Sequence, residues 1–313
     1  MKRILFDKTE ITPIIFGGNI FGWTADEAKS FALLDYAVDH GINCIDTSNS
    51  YVTWIGKPGI SEQIIGNWLK KSGKRNQVVI ATKVGSEMGP SEKGLAKDYI
   101  LKSAEDSLRR LQVDTIDLYQ AHIDDENTPL EESLEAFDSL VKSGKVRAIG
   151  ASNYKADRLQ QCLEISTNNK LAVFQTLQPH YNLYMRHRFE GDLAKVAKQY
   201  NLKVMPYWSL AAGFLTGKYR SEADYSKSKR GPSMHKYLNE RGLRILKAMD
   251  EIVAENNFSH AQLAIAWLLH QPQVTAPIVS GTSPAHIDQL LQAIEIKLDA
   301  TTLEKLNQAS AED

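Results

Sequence analysis

Cysteine is nearly absent from this chain. Cys44 and Cys162 are the 2 cysteines among 313 residues, far apart and in no CxxC spacing. Neither a disulfide framework nor a cysteine-based metal site is therefore indicated, and buried free thiols are expected. A charge excess is missing as well: 37 Lys and Arg stand against 38 Asp and Glu, a formal net charge of -1. That balance gives no broad pull towards nucleic acid or an anionic membrane. No apolar run reaches the length of a membrane span, and the opening MKRILFDKTEITP has too short an apolar stretch for a signal peptide, so a cytoplasmic protein is expected. No Pro/Ser/Gly linker or shift of composition divides the chain, and residues 1–313 are read as a single domain. At 42% hydrophobic and 24% charged, the composition is that of a globular protein able to build a sizeable core.

What the chain does have is alternation. Short β-branched apolar runs, PIIFGG (13–18), INCID (42–46), QVVIATK (77–83), TIDLYQAH (115–122), VRAIGAS (146–152), AVFQTLQ (172–178), KVMPYW (203–208) and TAPIVSG (275–281), are each followed by a helical pattern. After the first, Ala28, Phe31, Leu34 and Val38 recur at helical spacing, with Thr24 and Glu27 as a capping box and Gly41 beyond the end. Ile64, Ile65, Trp68 and Leu69 form one face of a helix over about 61–71, and Thr128, Pro129 and Glu131 supply a second capping box. Eight strand–helix units predict an α/β fold, a (β/α)8 TIM barrel, with KRILFDKTEI forming an N-terminal β-hairpin ahead of it. A doubly wound sheet holding a dinucleotide would show a GxGxxG turn after an early strand, and FGGNIFGW does not have that form. The basic, serine-rich stretch from Lys218 to Lys236 exceeds an ordinary connection and reads as a functional lid.

In such a barrel the reacting groups come from the C-terminal ends of different strands. Asp46 then ends the second strand, Lys83 the third and His122 the fourth, with Tyr51 on the loop after the second. Singly, each has an ordinary explanation: a turn carboxylate, a solvated lysine, a surface histidine, a loop aromatic. Together they suit carbonyl reduction. A phenol of ordinary pKa, about 10, is a reluctant acid–base group, and a neighbouring ammonium brings that value down. A carboxylate keeps the ammonium charged and aimed, while the histidine orients the carbonyl or assists proton transfer.

The segments CIDTSNSY, VVIATKVG, IDLYQAHIDD, GKVRAIGASNY, LQPHYNL, PYWSLAAGFLTGKY and AQLAIAWLLHQP resemble, in order and over nearly the whole chain, the aldo-keto reductase superfamily. The resemblance implies an enzyme that reduces aldehydes or ketones to alcohols with a nicotinamide cofactor in the barrel mouth, and a catalytic tetrad of Asp46, Tyr51, Lys83 and His122. It also implies cofactor contacts. Ser152, Asn153 and Gln178 would bind the carboxamide, although Ser152 and Asn153 read equally well as a helix N-cap. Tyr207 would stack on the nicotinamide ring, with Trp208 and Ser209 standing where relatives have a small residue or proline. Leu210, Gly213, Leu215 and Lys218 would cover the pyrophosphate, and around Gly17, Gly18 and Asn19 small side chains would let the backbone approach it.

The strand-eight turn departs from the superfamily. VSGTSPAHIDQLL carries no arginine or lysine for the 2'-phosphate of NADP, but Ser283 and Pro284 open a helix, and Ser280, Gly281, Thr282, Ser283, His286 and Gln289 are assigned to the cofactor there. The expected cofactor is NADP(H), with NAD(H) as the alternative, and Lys218, Arg220, Lys227, Lys229 or Arg230 of the lid lending charge. The long C-terminal loop of some branches is not seen after TTLEKLNQAS, so an open pocket is expected, with Ile20, Trp23, Trp54 and Tyr207 as candidate substrate walls. Partners are a small carbonyl substrate, no nucleic acid and no membrane, for a monomer or homo-oligomer. The rival role implied by the resemblance is a cofactor-sensing subunit like those of potassium channels, with slow turnover.

Overall fold

The computed structural model describes residues 4–6, 9–90 and 92–312. The first described residues pair antiparallel, β1 (Ile4–Phe6) on β2 (Thr9–Ile11), and residues 7–8 between them lie outside the described residues. Eight parallel strands follow: β3 (Ile15–Gly17), β4 (Cys44–Asp46), β5 (Val79–Val84), β6 (Ile116–Ala121), β7 (Val146–Ser152), β8 (Thr176–Gln178), β9 (Lys203–Val204) and β10 (Ile278–Val279). Their order in the sheet is β10-β3-β4-β5-β6-β7-β8-β9. The last seam is closed by Thr275 N–H donating to Val204 O at 2.8 Å and Ile278 N–H to Pro206 O at 2.8 Å, so the sheet curls into the expected (β/α)8 barrel.

Helices α1 (Glu27–Asp39), α2 (Ile60–Ser72), α3 (Lys97–Leu111), α4 (Leu130–Lys142), α5 (Ala156–Asn168) and α6 (Asp192–Gln199) each join one strand to the next. Between β9 and β10 come the lid, α7 (Glu240–Ala254) and α8 (His260–Leu269), and after β10 come α9 (Pro284–Ala293) and α10 (Ala300–Ser310). Among the described residues no helix is long and apolar enough to cross a membrane.

The two-residue period of a strand explains both the core and the site. Along β5, Val79 and Ala81 point into the barrel with Ile15, Cys44, Leu118, Met205 and Ile278, whereas Ile80 joins the larger core between sheet and helices. Thr82 also faces outwards, donating to the buried Glu62 of α2 at 2.5 Å. Lys83 therefore falls on the inward line at the C-terminal end. Where α2 crosses α3 the backbones touch: a Cβ on Gly66 would lie 2.1 Å from Arg110 O, so glycine is required by the close approach.

Several local expectations are corrected. Asp26, not Thr24, caps α1, accepting from Lys29 N–H at 2.8 Å, and the Thr24 hydroxyl is buried with no partner among the described residues. Thr128 donates to Asp125 at 2.7 Å instead of capping α4, whose cap position is Pro129. The runs at 172–178 and 203–208 pair as strands over three and two residues only. Pro179 and Pro206 lack the N–H a ladder needs, and single bonds such as Tyr207 N–H to Pro179 O at 3.0 Å continue the alignment.

Candidate active site

Asp46, Tyr51, Lys83 and His122 meet at the C-terminal mouth of the barrel. Lys83 and Asp46 are an ion pair at 2.7 Å whose side chains are 0% and 1% exposed. The ammonium uses its three N–H bonds on Asp46 Oδ2 at 2.7 Å, Thr47 O at 2.7 Å and Tyr51 Oη at 2.8 Å. Tyr51 in turn donates to Asp46 Oδ2 at 3.0 Å, so ammonium, phenol and carboxylate close a triangle. Gln178 Nε2 donates to Asp46 Oδ1 at 2.9 Å, which engages both carboxylate oxygens.

Electrostatics fix the protonation states. Burial first, then the charge of Asp46 and the bond to it, push the Tyr51 phenol well above the ordinary range, with the charge of Arg230 pulling the other way. The net direction is opposite to the lowering expected from Lys83, because the same ammonium brings a carboxylate with it into a dry site. Burial pulls Lys83 down, opposed by the charge and hydrogen bond of Asp46. His122 is held down to about 3, by burial first and the charge of Lys83 second, so its ring is neutral. Its Nδ1 stands 3.1 Å from Ser48 Oγ, and its ring meets Tyr51 edge-on with centroids 6.1 Å apart.

Around this centre the expected cofactor residues divide. Ser152 and Asn153 do not cap α5, which begins after Lys155. Ser152 donates to Gln178 O at 2.8 Å, and left-handed Asn153 gives its amide to His122 O at 2.8 Å while accepting from Tyr207 Oη at 2.7 Å. Tyr207 sits above the barrel-interior core and is backed by His180, stacked on it with centroids 5.2 Å apart. Ser209 is buried, its hydroxyl donating to Ile278 O at 2.9 Å, and the adjoining Trp208 is 38% exposed. Leu215 is packed in the core, Leu210 is half-buried, and Gly213 takes the left-handed conformation in a turn that also strains Ala211 and Ala212. Ser283 caps α9 by accepting from His286 N–H at 3.3 Å; Thr282 Oγ1 lies 3.3 Å from His286 Nδ1, and Gln289 faces Ser259 at 3.5 Å. Ser280 Oγ lies 2.7 Å from both Gly17 O and Asn19 Oδ1, tying β10 to β3 beside buried Gly281.

A Cβ on Gly18 would lie 3.0 Å from both Asp46 O and Ser61 Oγ, so its smallness serves packing within the protein. Ile20, just beyond the end of β3, is 3% exposed and packs in the core between sheet and helices. Trp23 and Trp54 do stand together on the mouth loops, edge to face with centroids 5.5 Å apart. Sequence reading passed over Ser48, although it lies inside the segment that carries Asp46 and Tyr51. It also passed over His180 in LQPHYNL, whose Nε2 is buried with no partner among the described residues.

The donor set suits a nicotinamide cofactor. Gln178 Oε1 accepts no bond from the described residues while its nitrogen is held by Asp46, and the mouth offers an aromatic ring, the capped N-terminus of α9 and the ammonium of Lys218. Among the described residues no cluster of His, Cys, Asp or Glu is placed to hold a metal ion.

Comparison with known proteins agrees with this geometry. An uncharacterized oxidoreductase of Bacillus subtilis, YrpG, is 34% identical over 305 residues, covering 95% of this chain and 91% of its own length. The NADP(+) aldo-keto reductase yakc of Schizosaccharomyces pombe is 30% identical over 297 residues, 93% of this chain and 84% of its own. A probable voltage-gated potassium channel subunit beta of Arabidopsis thaliana is 28% identical over 309 residues, 96% of this chain and 93% of its own. The chain matches the Aldo/keto reductase family over residues 13–311, and with the tetrad geometry on a parallel eight-stranded barrel it belongs to that family of carbonyl oxidoreductases.

Proposed function

We propose that the protein reduces aldehydes or ketones to alcohols with NADPH, Tyr51 acting as general acid. The observation that carries this reading is the closed triangle of Tyr51, Lys83 and Asp46, with edges of 2.7, 2.8 and 3.0 Å. A bound nicotinamide supplies the hydride that the carbonyl carbon accepts. The oxygen then needs a proton, and the phenol holds one: burial and Asp46 keep Tyr51 protonated at any working pH. As the proton leaves, Lys83 already donates to the phenol oxygen and stabilises the phenolate, while Asp46 keeps the ammonium aimed. His122, neutral and with Nδ1 facing the Ser48 hydroxyl, offers Nε2–H to orient the carbonyl.

Gln178 Oε1 and Asn153 would take the carboxamide, Tyr207 the nicotinamide ring, and Lys218 with the α9 N-terminus the 2'-phosphate. The NADP(+) in the name of the yeast relative supports that choice over NADH. The near-zero net charge supports a small-molecule enzyme of the cytoplasm, monomeric or homo-oligomeric. Similarity to the plant channel subunit favours a second reading, a cofactor-sensing subunit with slow turnover. Following oxidation of NADPH and NADH against a panel of aldehydes decides between them. Tight cofactor binding without turnover would sink the enzyme reading and leave the second.

A further inference from the structure

The lid lays an arginine without an acceptor against the mouth. Three of its other cations are engaged: Arg220 grips Asp250 with two bonds at 2.7 and 2.8 Å, Lys227 pairs with Asp224 at 2.7 Å, and Lys229 donates to Trp23 O at 3.0 Å. The backbone around Arg230 is pinned too, its N–H on Ser228 Oγ at 3.1 Å and its carbonyl accepting from Ser233 Oγ at 2.7 Å. The guanidinium, however, has no hydrogen bond or ion pair among the described residues. It lies over the Trp23 ring, 5.2 Å from the centroid, and Trp23 in turn meets Trp54, three positions beyond Tyr51. Tyr219, Tyr237 and Tyr51 are the titratable groups that act on it, and its surroundings are dry enough to press its pKa down.

An arginine does not lose its proton in a protein, so this is a partly desolvated charge held ready by its neighbours. A planar fork over an indole is suited to a carboxylate or phosphate, which it can grip with two parallel bonds. The proposed place for the cofactor's 2'-phosphate is elsewhere. The strand-eight turn lies within reach of Lys218 and Lys29, the charges that act on His286, and Arg230 is not among them.

We infer that Arg230, stacked on Trp23, binds an anionic group, carboxylate or phosphate, carried by the carbonyl substrate whose oxygen Tyr51 protonates. This rests on the reductase reading above and adds the substrate class. Specificity then comes from an acceptor that only the anionic substrate brings to a charge otherwise left unpaired.

The experiment compares kcat/KM for 4-oxobutanoate against butanal, and for glyceraldehyde 3-phosphate against glyceraldehyde, in the wild type, Arg230→Met and Arg230→Lys. At least one anionic-to-neutral ratio in the wild type should fall by about 10- to 100-fold in Arg230→Met, the loss expected for a charge-assisted bond. Which ratio falls identifies carboxylate or phosphate, and Arg230→Lys should recover part of it. Ratios within about threefold of wild type overturn the inference, whatever the absolute activity, as does a loss confined to NADPH affinity. A second arm stands apart from turnover: succinate and glycerol 3-phosphate are titrated as non-reacting probes of tryptophan fluorescence. Saturable quenching lost in Arg230→Met supports the anion site even in a protein that fails to reduce any aldehyde, an outcome that would sink the reductase reading alone. Quenching unchanged by the substitution overturns the site.

Discussion

Gln178 and Asp46 stand 132 residues apart in the chain and 2.9 Å apart at the barrel mouth, Nε2 donating to Oδ1. The bond completes the carboxylate, whose other oxygen already takes Lys83 and Tyr51. It also links the two halves of the site, since the opposite end of the Gln178 amide is the proposed acceptor for the cofactor. Gln178→Leu should cost about 1 to 3 kcal/mol of stability, the usual consequence of leaving a buried acceptor without its donor. Urea unfolding of Gln178→Leu, Asp46→Asn and the double variant measures the coupling, expected to exceed about 0.5 kcal/mol for residues in contact. Additive single effects would mean that the bond contributes nothing.

Tyr51→Phe removes the proposed proton donor and leaves the ring in place. Turnover should fall by about 100- to 10,000-fold with cofactor affinity nearly unchanged, because the loss lies in the chemical step. Steady-state rates beside a fluorescence titration of NADPH separate the two. A rate within a factor of a few of wild type removes Tyr51 from the mechanism.

The barrel was legible in the sequence because its strands are short apolar runs with helical periods between them, and a count of eight leaves few architectures. The meeting of Asp46, Lys83 and His122 was legible for a related reason: strand ends are fixed by pattern, and each of the three stands at the C-terminal end of one. What depends on barrel closure was not. The amide of Gln178 could have turned towards the cofactor or the carboxylate, and no local pattern decides between them. The caps failed at Thr24 and Thr128 because Asp26, two residues on, takes the cap of α1, and Asp125, three residues back, takes the Thr128 hydroxyl. Left-handed Trp208, Ala211 and Ala212 carry no sequence signal at all. Arg230 was one of six lysines and arginines in the lid, and its lack of an acceptor became visible only once Asp224, Asp250 and the Trp23 carbonyl were seen to take three of the others.

Two histidines near the mouth make the fold sensitive to acid. His122 is lowered to about 3 and His180 to about 4, each by burial first, with Lys83 acting on the former and Arg188 and Lys236 on the latter. Both values lie below the unfolded value of about 6.5, so the unfolded chain takes up protons that the folded one refuses. Their contribution is intact above about pH 6.5 and is lost as the pH falls towards the folded values, by up to about 1.4 kcal/mol per pH unit for each group. Calorimetric Tm should therefore drop between pH 6.5 and 4, less steeply in His122→Gln. A wild-type Tm flat across that range would show that the rings charge without difficulty. Activity should show no limb near pH 6.5 from His122, since its imidazole stays neutral there.

In the proposed function, cofactor choice rests on charge at the strand-eight turn. His286 is lowered by burial, then by the charges of Lys218 and Lys29, which places both ammonium groups within electrostatic reach of the helix N-terminus capped by Ser283. A 2'-phosphate there meets a favourable dipole end and two cations, but no guanidinium fork. Lys218 is exposed, so its attraction is screened by solvent and salt. NADPH should bind more tightly than NADH by a modest margin, and Lys218→Met should narrow that margin about two- to fivefold, the scale of an exposed charge pair. The margin should also shrink as ionic strength rises, in the wild type more than in the variant. Dissociation constants for both cofactors at low and high salt test each part. Equal affinity at low salt, or tighter binding of NADH, would make the departure at VSGTSPAHIDQLL a true change of cofactor, because dipole and lid would then have failed to replace the missing arginine.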